Sequence, residues 1–488
     1  MIIKTEPEFI DSYLNDAANF KGRCEAVYIA ESIEDIITVV KYCNISNIKL
    51  TVSGNRTSLT GAAIPMGGIV LSVEKFNKIK EIDCEGKFII TEPAVMLCDL
   101  KEAVKNEGLF YPADPTEQNC YIGSTISTNA SGARTYKFGS TRNFVEELKI
   151  ITPTGDKLNL VRGKIFVEKG NVELITENGN KLNLVIPDIN LLLTKNSAGY
   201  YCKEGMDVID LFIGSEGTLG VIYEIKLKLL KLPDKIFSSV VFFDDINTCF
   251  NLIEFIKALK DDIIKPMALE FMDKNSINML KKEYSNIPNN AVACLWIEQD
   301  SGNAEYESII NRYIEIFEDF GIDTTTVWFA FSDTELVEFQ KFRHAIPSLV
   351  NEYITKNNFV KIGTDIAVPD KVFRQFYFEC LSNVELSGIN YTAYGHFGNS
   401  HLHLNMLPKN SDEIVVAKEI YYNLCKLAVN NKGTFSAEHG IGKIKSKFMP
   451  LMYNEDTINK FANIKKVLDP NLILNIGNIL EEKYLYEV

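Results

Sequence analysis

No apolar run in the 488 residues is long enough for a membrane-spanning helix, so no transmembrane segment is expected. The start, Met1-Ile2-Ile3-Lys4-Thr5-Glu6, has no basic stretch followed by an apolar one; no signal peptide is expected, and the reading is cytoplasmic. Positive charge is in deficit, 51 Lys and Arg against 65 Asp and Glu, for a net charge of -14. That balance argues against nucleic acid and anionic membrane as partners. The ten cysteines, scattered from Cys24 to Cys425, nowhere form Cys-x-x-Cys. The common zinc ribbons and ferredoxin-type clusters are thereby excluded, and reduced thiols are the simplest reading. Histidine is scarce too: five residues, none before His344.

What remains is the composition of a soluble globular protein, 46% apolar and 24% charged. The length suits two or three domains with ample core. Three of the five histidines fall together in Gly395-His396-Phe397-Gly398-Asn399-Ser400-His401-Leu402-His403. Ser436-Ala437-Glu438-His439-Gly440 follows further on. Imidazoles and a carboxylate are a usual ligand set for Zn²⁺ or a related divalent ion. An apolar strand is predicted over Leu402–Leu407, with His401 and His403 on one face because they alternate with leucines. The alternative is a set of hydrogen-bonded structural histidines.

In the first half a helix is predicted over residues 31–44, with Ser32 as N-cap and Ile36, Val39, Val40 and Cys43 as its apolar face. Strands are predicted at Ile48–Val52, Ile69–Leu71 and Val145–Thr152. Three small-residue segments stand out. The first is Ser53-Gly54-Asn55-Arg56-Thr57-Ser58-Leu59-Thr60-Gly61, a loop whose N–H groups and hydroxyls suit a phosphate. The second is Asp114-Pro115 followed by Gly123-Ser124-Thr125-Ile126-Ser127-Thr128-Asn129-Ala130-Ser131-Gly132, able to let a flat ligand approach the backbone. The third is Gly214-Ser215-Glu216-Gly217-Thr218-Leu219-Gly220-Val221-Ile222. Between the last two, Val161–Leu193 is irregular, with strand-like pieces at Lys164–Val167 and Leu182–Val185.

The three segments, in this order, resemble the flavin-binding domain of the vanillyl-alcohol oxidase superfamily, above all its FAD-linked D-2-hydroxy acid dehydrogenases, the D-lactate dehydrogenase and glycolate oxidase group. The resemblance covers about residues 20–230. It implies an α+β chain: a PCMH-type FAD-binding domain of two α/β subdomains over 1–230, then a ferredoxin-like cap domain over 231–488 whose C-terminal helical segment returns to the flavin. It further implies that Ser53, Gly54, Asn55, Arg56, Thr57, Ser58 and Gly61 wrap the FAD pyrophosphate. Asp114, Pro115, Gly123, Ser124, Ser127, Asn129, Gly132, Gly217 and Ile222 would line the ring and ribityl side, with Asn475 approaching the flavin. Asn55-Arg56 and Ser124 depart from the family's glycines. With no histidine before His344, histidyl attachment in the first domain is impossible and FAD is expected to be non-covalent.

The second half reads as strands at Ile236–Phe243, Met267–Met272, Ala293–Ile297 and Thr325–Ala330, with helices at Asn247–Leu259 and Ala304–Phe320, an α+β sheet with helices on one face. A polar helical run, Thr334–Phe342, ends at Arg343-His344. The family pattern Gly-His-x-Gly-Asp-Gly-Asn-Leu-His, with Glu-His-Gly-Ile-Gly later, is matched at His396, His403 and Glu438-His439-Gly440-Ile441-Gly442, and broken at Asn399, Ser400 and His401. The resemblance implies that His396, His403 and Glu438 bind a divalent metal (Zn, Fe or Mn), that His439 is the base, and that Arg343 grips a substrate carboxylate. His401 could join the metal site. A lysine that contacts substrate in some members would fall at Gly363, with Lys361 two residues earlier.

The chemistry so implied is oxidation of a D-2-hydroxy acid, lactate first, glycolate or 2-hydroxyglutarate otherwise, to the 2-oxo acid by hydride transfer to flavin N5. No second redox centre is visible, so electrons would leave to an external acceptor, an electron-transferring flavoprotein among the candidates. Two alternatives share the resemblance: the flavoprotein subunit of an electron-bifurcating lactate dehydrogenase, and a non-redox ether-lipid synthase. Either a homodimer or a hetero-complex is compatible with the sequence.

Overall fold

The computed structural model describes every residue except 190–194, 303, 358, 360, 487 and 488; the end of the irregular stretch Val161–Leu193 therefore lies outside the described residues. Helix and strand form where local chemistry asks for them. The helix Ile33–Ser46 opens on a capping box: the Ser32 hydroxyl accepts the Asp35 N–H at 3.2 Å, and the Asp35 carboxylate accepts the Ser32 N–H at 3.3 Å. Its buried residues are Ile36, Val39, Val40 and Cys43. The helix links parallel strands of a four-stranded sheet ordered Ile2–Lys4, Ala26–Ile29, Ile69–Ser72, Leu50–Ser53, the first strand antiparallel at the edge. A five-stranded antiparallel sheet follows, ordered Ile79–Asp83, Phe88–Thr91, Val221–Lys228, Val145–Ile151, Lys157–Val161. Of the two strand pieces expected in the irregular stretch, Lys181–Val185 is a strand, paired with Asn171–Ile175. Lys164–Val167 is not: only Phe166 makes an isolated bridge, to Asp207.

The third sheet is larger than a ferredoxin-like unit. Eight strands run in the order Trp328–Ala330, Ile236–Phe243, Ala293–Asp300, Ala268–Asp273, Asn390–His396, His401–Leu407, Ile362–Gly363, with Ile366–Ala367 also paired to His401–Leu407. Helices cover both faces rather than one. Leu269, Phe271, Leu295, Leu402 and Leu404 pack with Ile253, Phe317 and Phe376. Ala268, Met272, Trp296 and Leu407 pack on the other side with Phe342, Ile346 and Val350. Burial on both faces explains why Ile236–Phe243 and Ala293–Ile297 read as nearly unbroken apolar runs.

The helix carrying Phe342 spans Asp333–Lys356. It does not end at Arg343-His344 as its polar start indicated; buried Ile346, Val350 and Ile354 carry it on, tertiary packing overriding Pro347 inside it. The chain end returns to the first sheet, where the Asn475 N–H donates to the Leu50 carbonyl at 2.8 Å. Buried Lys465 fixes that return, donating to the carbonyls of Thr218 (2.6 Å) and Leu474 (2.7 Å) and pairing with Asp469. Among the described residues no helix is long and apolar enough to cross a membrane. All ten cysteines are free.

The glycine-rich second segment is tied to the third sheet by one buried fork: Arg134 Nε and Nη2 reach the two oxygens of Glu298 at 2.7 and 2.9 Å. Arg134→Met leaves the Glu298 charge buried and alone, so it is expected to cost about 3–5 kcal/mol and lower the thermal unfolding midpoint. A second change, Glu298→Leu, should recover most of the loss. An unchanged midpoint in the single variant would show that the pair carries no such role.

Candidate active site

Strand alternation gives the third sheet one apolar face and another on which a polar group is set among apolar residues. Leu269 and Phe271, like Leu402, Leu404 and Met406, point one way into the core. Glu270, Tyr394, His396, His401, His403 and Asn405 occupy the intervening positions, as the side-chain period of a strand requires. Register sets their neighbours: Glu270 faces His396 across one ladder, and Tyr394 faces His403 across the next. The His401 and His403 rings lie 4.3 Å apart.

Glu438 completes the group from its loop. Its Oε1 is 3.1 Å from His396 Nε2 and 3.1 Å from His403 Nε2. With His401, these residues each bring a donor atom within 4.8 Å of the others. The outer ring nitrogens are committed. His403 Nδ1 lies 3.2 Å from the Thr364 carbonyl, which can only accept. His396 Nδ1 lies 2.7 Å from Glu270 Oε1. Both Nδ1 atoms therefore carry hydrogen, and in neutral rings both Nε2 atoms present lone pairs to a carboxylate oxygen. Three acceptors aimed at one another need a cation between them, whether protons on the rings or a metal ion. Two ligands on a metal with bonds of about 2.1 Å stand about 3.0 Å apart at octahedral angles and about 3.4 Å apart at tetrahedral ones, a range that contains the 3.1 Å seen. The carboxylate behind His396 is the usual partner of a metal-bound imidazole. These residues fit a divalent ion.

His401 sits differently. Its Nε2 meets Asp365 Oδ1 at 3.0 Å, and its Nδ1, buried and without a hydrogen-bond partner, is 3.9 Å from Glu438 Oε2. Asp365 is an anchor: Lys445 Nζ donates to it at 2.8 Å, and the backbone N–H of His439 at 3.0 Å. His439, the least buried of the group, stacks on His403 with centroids 5.2 Å apart. Its Nδ1 is 3.6 Å from Asp365 and its Nε2 3.8 Å from Glu438 Oε1. Burial, against the pull of Asp365, pushes the His439 imidazole down to about 4, so it is neutral at pH 7. Burial also opposes the charge on Glu438, but Lys195 and His396 hold its carboxyl well below the usual range.

Arg343 is brought to the same cavity by its helix. Its Nε donates to Glu270 at 3.1 Å and its Nη1 to His344 Nε2 at 2.6 Å. Burial and the neighbouring guanidinium push His344 down to about 4, so it is a neutral acceptor. Nη2 has no partner among the described residues. The cavity, about 740 Å³, is lined by Arg343, His396, His403, Glu438 and His439 at one end and by the three small-residue segments at the other; pockets of ~300–1,000 Å³ suit cofactors. The loop Gly440–Ile444 closes its wall. Glu216 accepts the Gly442 N–H at 2.8 Å, and Lys443 N donates to the Thr60 carbonyl at 2.9 Å.

A family profile described as "FAD linked oxidases, C-terminal domain" matches residues 232–479, just over half of the chain. The chain belongs to the FAD-linked oxidase family. A second profile, "FAD binding domain", matches residues 24–160. Similar curated proteins include a D-lactate dehydrogenase of Anaerostipes hadrus, 28% identical, covering 94% of this chain and 90% of that protein. Glycolate oxidase subunit GlcD of Bacillus subtilis (strain 168) is 27% identical, with 96% and 91% covered. A D-2-hydroxyglutarate dehydrogenase of Xanthomonas citri pv. viticola is 26% identical, with 98% and 94% covered. Among solved structures, a 4-ethylphenol oxidase from Gulosibacter chungangensis superimposes with a TM-score of 0.69 at 16% identity, over 98% of this chain and 94% of that one. An alkyldihydroxyacetonephosphate synthase gives 0.67 at 14%, over 97% and 81%. These two likenesses establish the vanillyl-alcohol oxidase fold.

The residues expected to hold the cofactor fall into two ranks. Gly54, Arg56, Thr57, Ser58, Pro115, Gly123, Ser124, Ser127, Gly217, Ile222 and Asn475 line the cavity. Ser53, Asn55, Gly61, Asp114, Asn129 and Gly132, expected beside them, stand behind the wall. Asn55 donates to the Asn119 carbonyl at 2.8 Å, Gly61 N–H to Asp16 at 2.8 Å, and Asn129 accepts the Arg142 N–H at 3.0 Å. Asp114 is spent on Lys101 at 2.6 Å. Arg56 neither points to solvent nor stands free: its guanidinium lies over the Tyr13 ring and donates to the Gly54 carbonyl at 3.0 Å. The cradle is cut for a thin ligand. A Cβ on Gly54 would collide with Ser124 Oγ, and one on Gly217 would come within 2.7 Å of Asn475 Nδ2. Asn475 is pinned by Val52 N–H (2.8 Å) and the Glu216 carbonyl (2.8 Å). These residues fit FAD.

Sequence reasoning missed Glu270, Asp365, Ser131 and Lys195. A lone carboxylate in the apolar strand Met267–Met272 was the available sign for Glu270, because an isolated charge is not buried without a partner. Lys361 also lines the cavity, its Nζ donating to Asn351 at 3.1 Å.

Gly132→Ala would drive a Cβ into the Asp114 carbonyl and Pro115 N. Because both are backbone, the wall carrying Pro115 must shift. The expected result is a folded chain with less flavin per protein, read from visible flavin absorbance against protein content after gel filtration, the tight cradle being what glycine permits. Full flavin occupancy would mean that the close approach is not required.

Proposed function

We propose that the chain oxidises a small D-2-hydroxy acid to the 2-oxo acid. D-Lactate is the first choice, with glycolate and 2-hydroxyglutarate as the other members of the class. The single observation that carries this reading is the convergence, in one cavity with the flavin-binding segments, of an unspent guanidinium edge, a neutral histidine and a cation-demanding His–His–Glu set. A 2-hydroxy acid offers a carboxylate, a hydroxyl and an α C–H, and each finds a counterpart in that cavity. The names and 26–28% identities of the similar proteins support the same class.

The residues divide the work. Arg343 holds the substrate carboxylate through Nη2, its other edge fixed by Glu270 and His344. His439, neutral and set against Asp365, takes the hydroxyl proton. His396, His403 and Glu438 hold the divalent ion, Zn, Fe or Mn, which supplies Lewis acidity and a template for the oxygens. FAD, bound non-covalently by the small-residue segments, supplies the hydride acceptor. Electrons then pass to an external acceptor. Residues 1–230 form the FAD-binding domain and 231–488 the cap and substrate domain.

His439→Ala is expected to retain flavin and slow its anaerobic reduction by roughly 10²-fold or more, followed by stopped-flow bleaching in a single turnover. A variant reduced at the wild-type rate by every D- and L-hydroxy acid tried would remove His439 from the reaction. Wild-type flavin left yellow by all of them would overturn the substrate class.

A further inference from the structure

We infer that Lys195 is a positioning residue that makes Glu438 a one-oxygen ligand. The inference rests on the metal reading above. Lys195 is buried, with 1% of its side chain exposed, and its Nζ lies 2.7 Å from Glu438 Oε2. Ser131 Oγ donates to the same oxygen at 2.8 Å. The two Glu438 oxygens are therefore divided. Oε2 is spent on an ammonium and a hydroxyl, and Oε1 is shared by the two histidine Nε2 atoms.

Lys195 is held where it is. Close by in the chain, Ser197 donates its N–H to the Ser436 carbonyl at 2.8 Å and its hydroxyl to the Ala437 carbonyl at 3.3 Å. The stretch bearing the lysine thus runs hydrogen-bonded beside the stretch bearing the glutamate. Lys195 does not line the cavity, unlike Arg343, Lys361 and Lys445, so it cannot touch a substrate there. Its only hydrogen-bond acceptor among the described residues is Glu438. Two consequences follow from charge and geometry. The ammonium sets a positive charge 2.7 Å from Oε2 of the buried carboxylate, opposite to the side that faces the two histidines. With Oε2 engaged, Glu438 cannot turn to chelate through both oxygens, which leaves coordination positions for a substrate's oxygens. This is how partners behind a ligand act: losing one typically costs ~10–100-fold in metal affinity.

The test is a Zn²⁺ titration of the full-length flavin-loaded chain against a chromophoric chelator, for wild type, Lys195→Met, Lys195→Arg and Ser131→Ala. Lys195→Met should weaken zinc binding by about 10–100-fold while flavin per chain stays unchanged. Lys195→Arg should recover some of the loss, and Ser131→Ala should show a smaller loss in the same direction. Zinc held as tightly or more tightly by Lys195→Met would overturn the inference and leave the metal reading standing. Wild type that binds none of Zn²⁺, Fe²⁺ or Mn²⁺ would overturn both. If Lys195→Met fails to fold with flavin, the arginine and Ser131 variants decide.

Discussion

The burial of the Glu438 carboxylate is the constraint around which the site is arranged. A charge that deep must be compensated on every side, and the compensation draws in distant stretches of the chain. Ser131 comes from the second small-residue segment, Lys195 from the stretch after the hairpin, and His396 and His403 from two neighbouring strands. Ser131 alone stands 307 residues from Glu438. The glutamate therefore does more than face two imidazoles: it fixes where the flavin-binding half meets the third sheet. Asp365 has the matching role in the layer behind, collecting His401, Lys445 and the backbone N–H of Glu438 and His439.

The same rule explains why the third sheet tolerates so many polar residues at its centre. Strand alternation alone puts Glu270, His396, His401, His403 and Asn405 on one face and Leu269, Phe271, Leu402, Leu404 and Met406 on the other. A shift of one residue in either ladder would exchange the two sets, burying imidazoles among phenylalanines. Register and chemistry are thus locked together. Apolar residues on both faces supply stability, including the stacked Phe271–Phe397 pair with ring centroids 4.1 Å apart, and the polar group at the centre of one face is free to hold a reactive arrangement.

What the sequence made legible divides along this line. Features set by local rules could be read directly: the capping box at Ser32, the alternation around His401 and His403, and the small residues of the three glycine-rich segments. The resemblance then ordered the histidines, Glu438 and Arg343 into one site, and they do converge. Features set by distant partners could not be read. Lys195 and Glu438 lie 243 residues apart, Glu270 and His396 126 apart, and no spacing rule joins them. The division of the cofactor segments into lining and backing residues was equally hidden. Asn129 and Gly132 sit in a motif that forms the wall, but the backbone turns their faces inward to Arg142 and Asp114. The helix through Pro347 was misjudged because its polar start says nothing about the apolar stripe Ile346, Val350, Ile354 beyond.

Arginine, rather than lysine, at position 343 follows from the same arrangement. The position has to satisfy a buried carboxylate, Glu270, and a neutral imidazole, His344, and still present donors to the cavity. A planar fork with five N–H groups can divide its edges in this way, whereas an ammonium has three donors on one atom and no second edge to present as a fixed pair. Glu270 in turn links Arg343 to His396, so a shift in the guanidinium is felt at the ring that faces Glu438. Arg343 and His396 are in this sense one unit, coupled through a single buried carboxylate that contacts both.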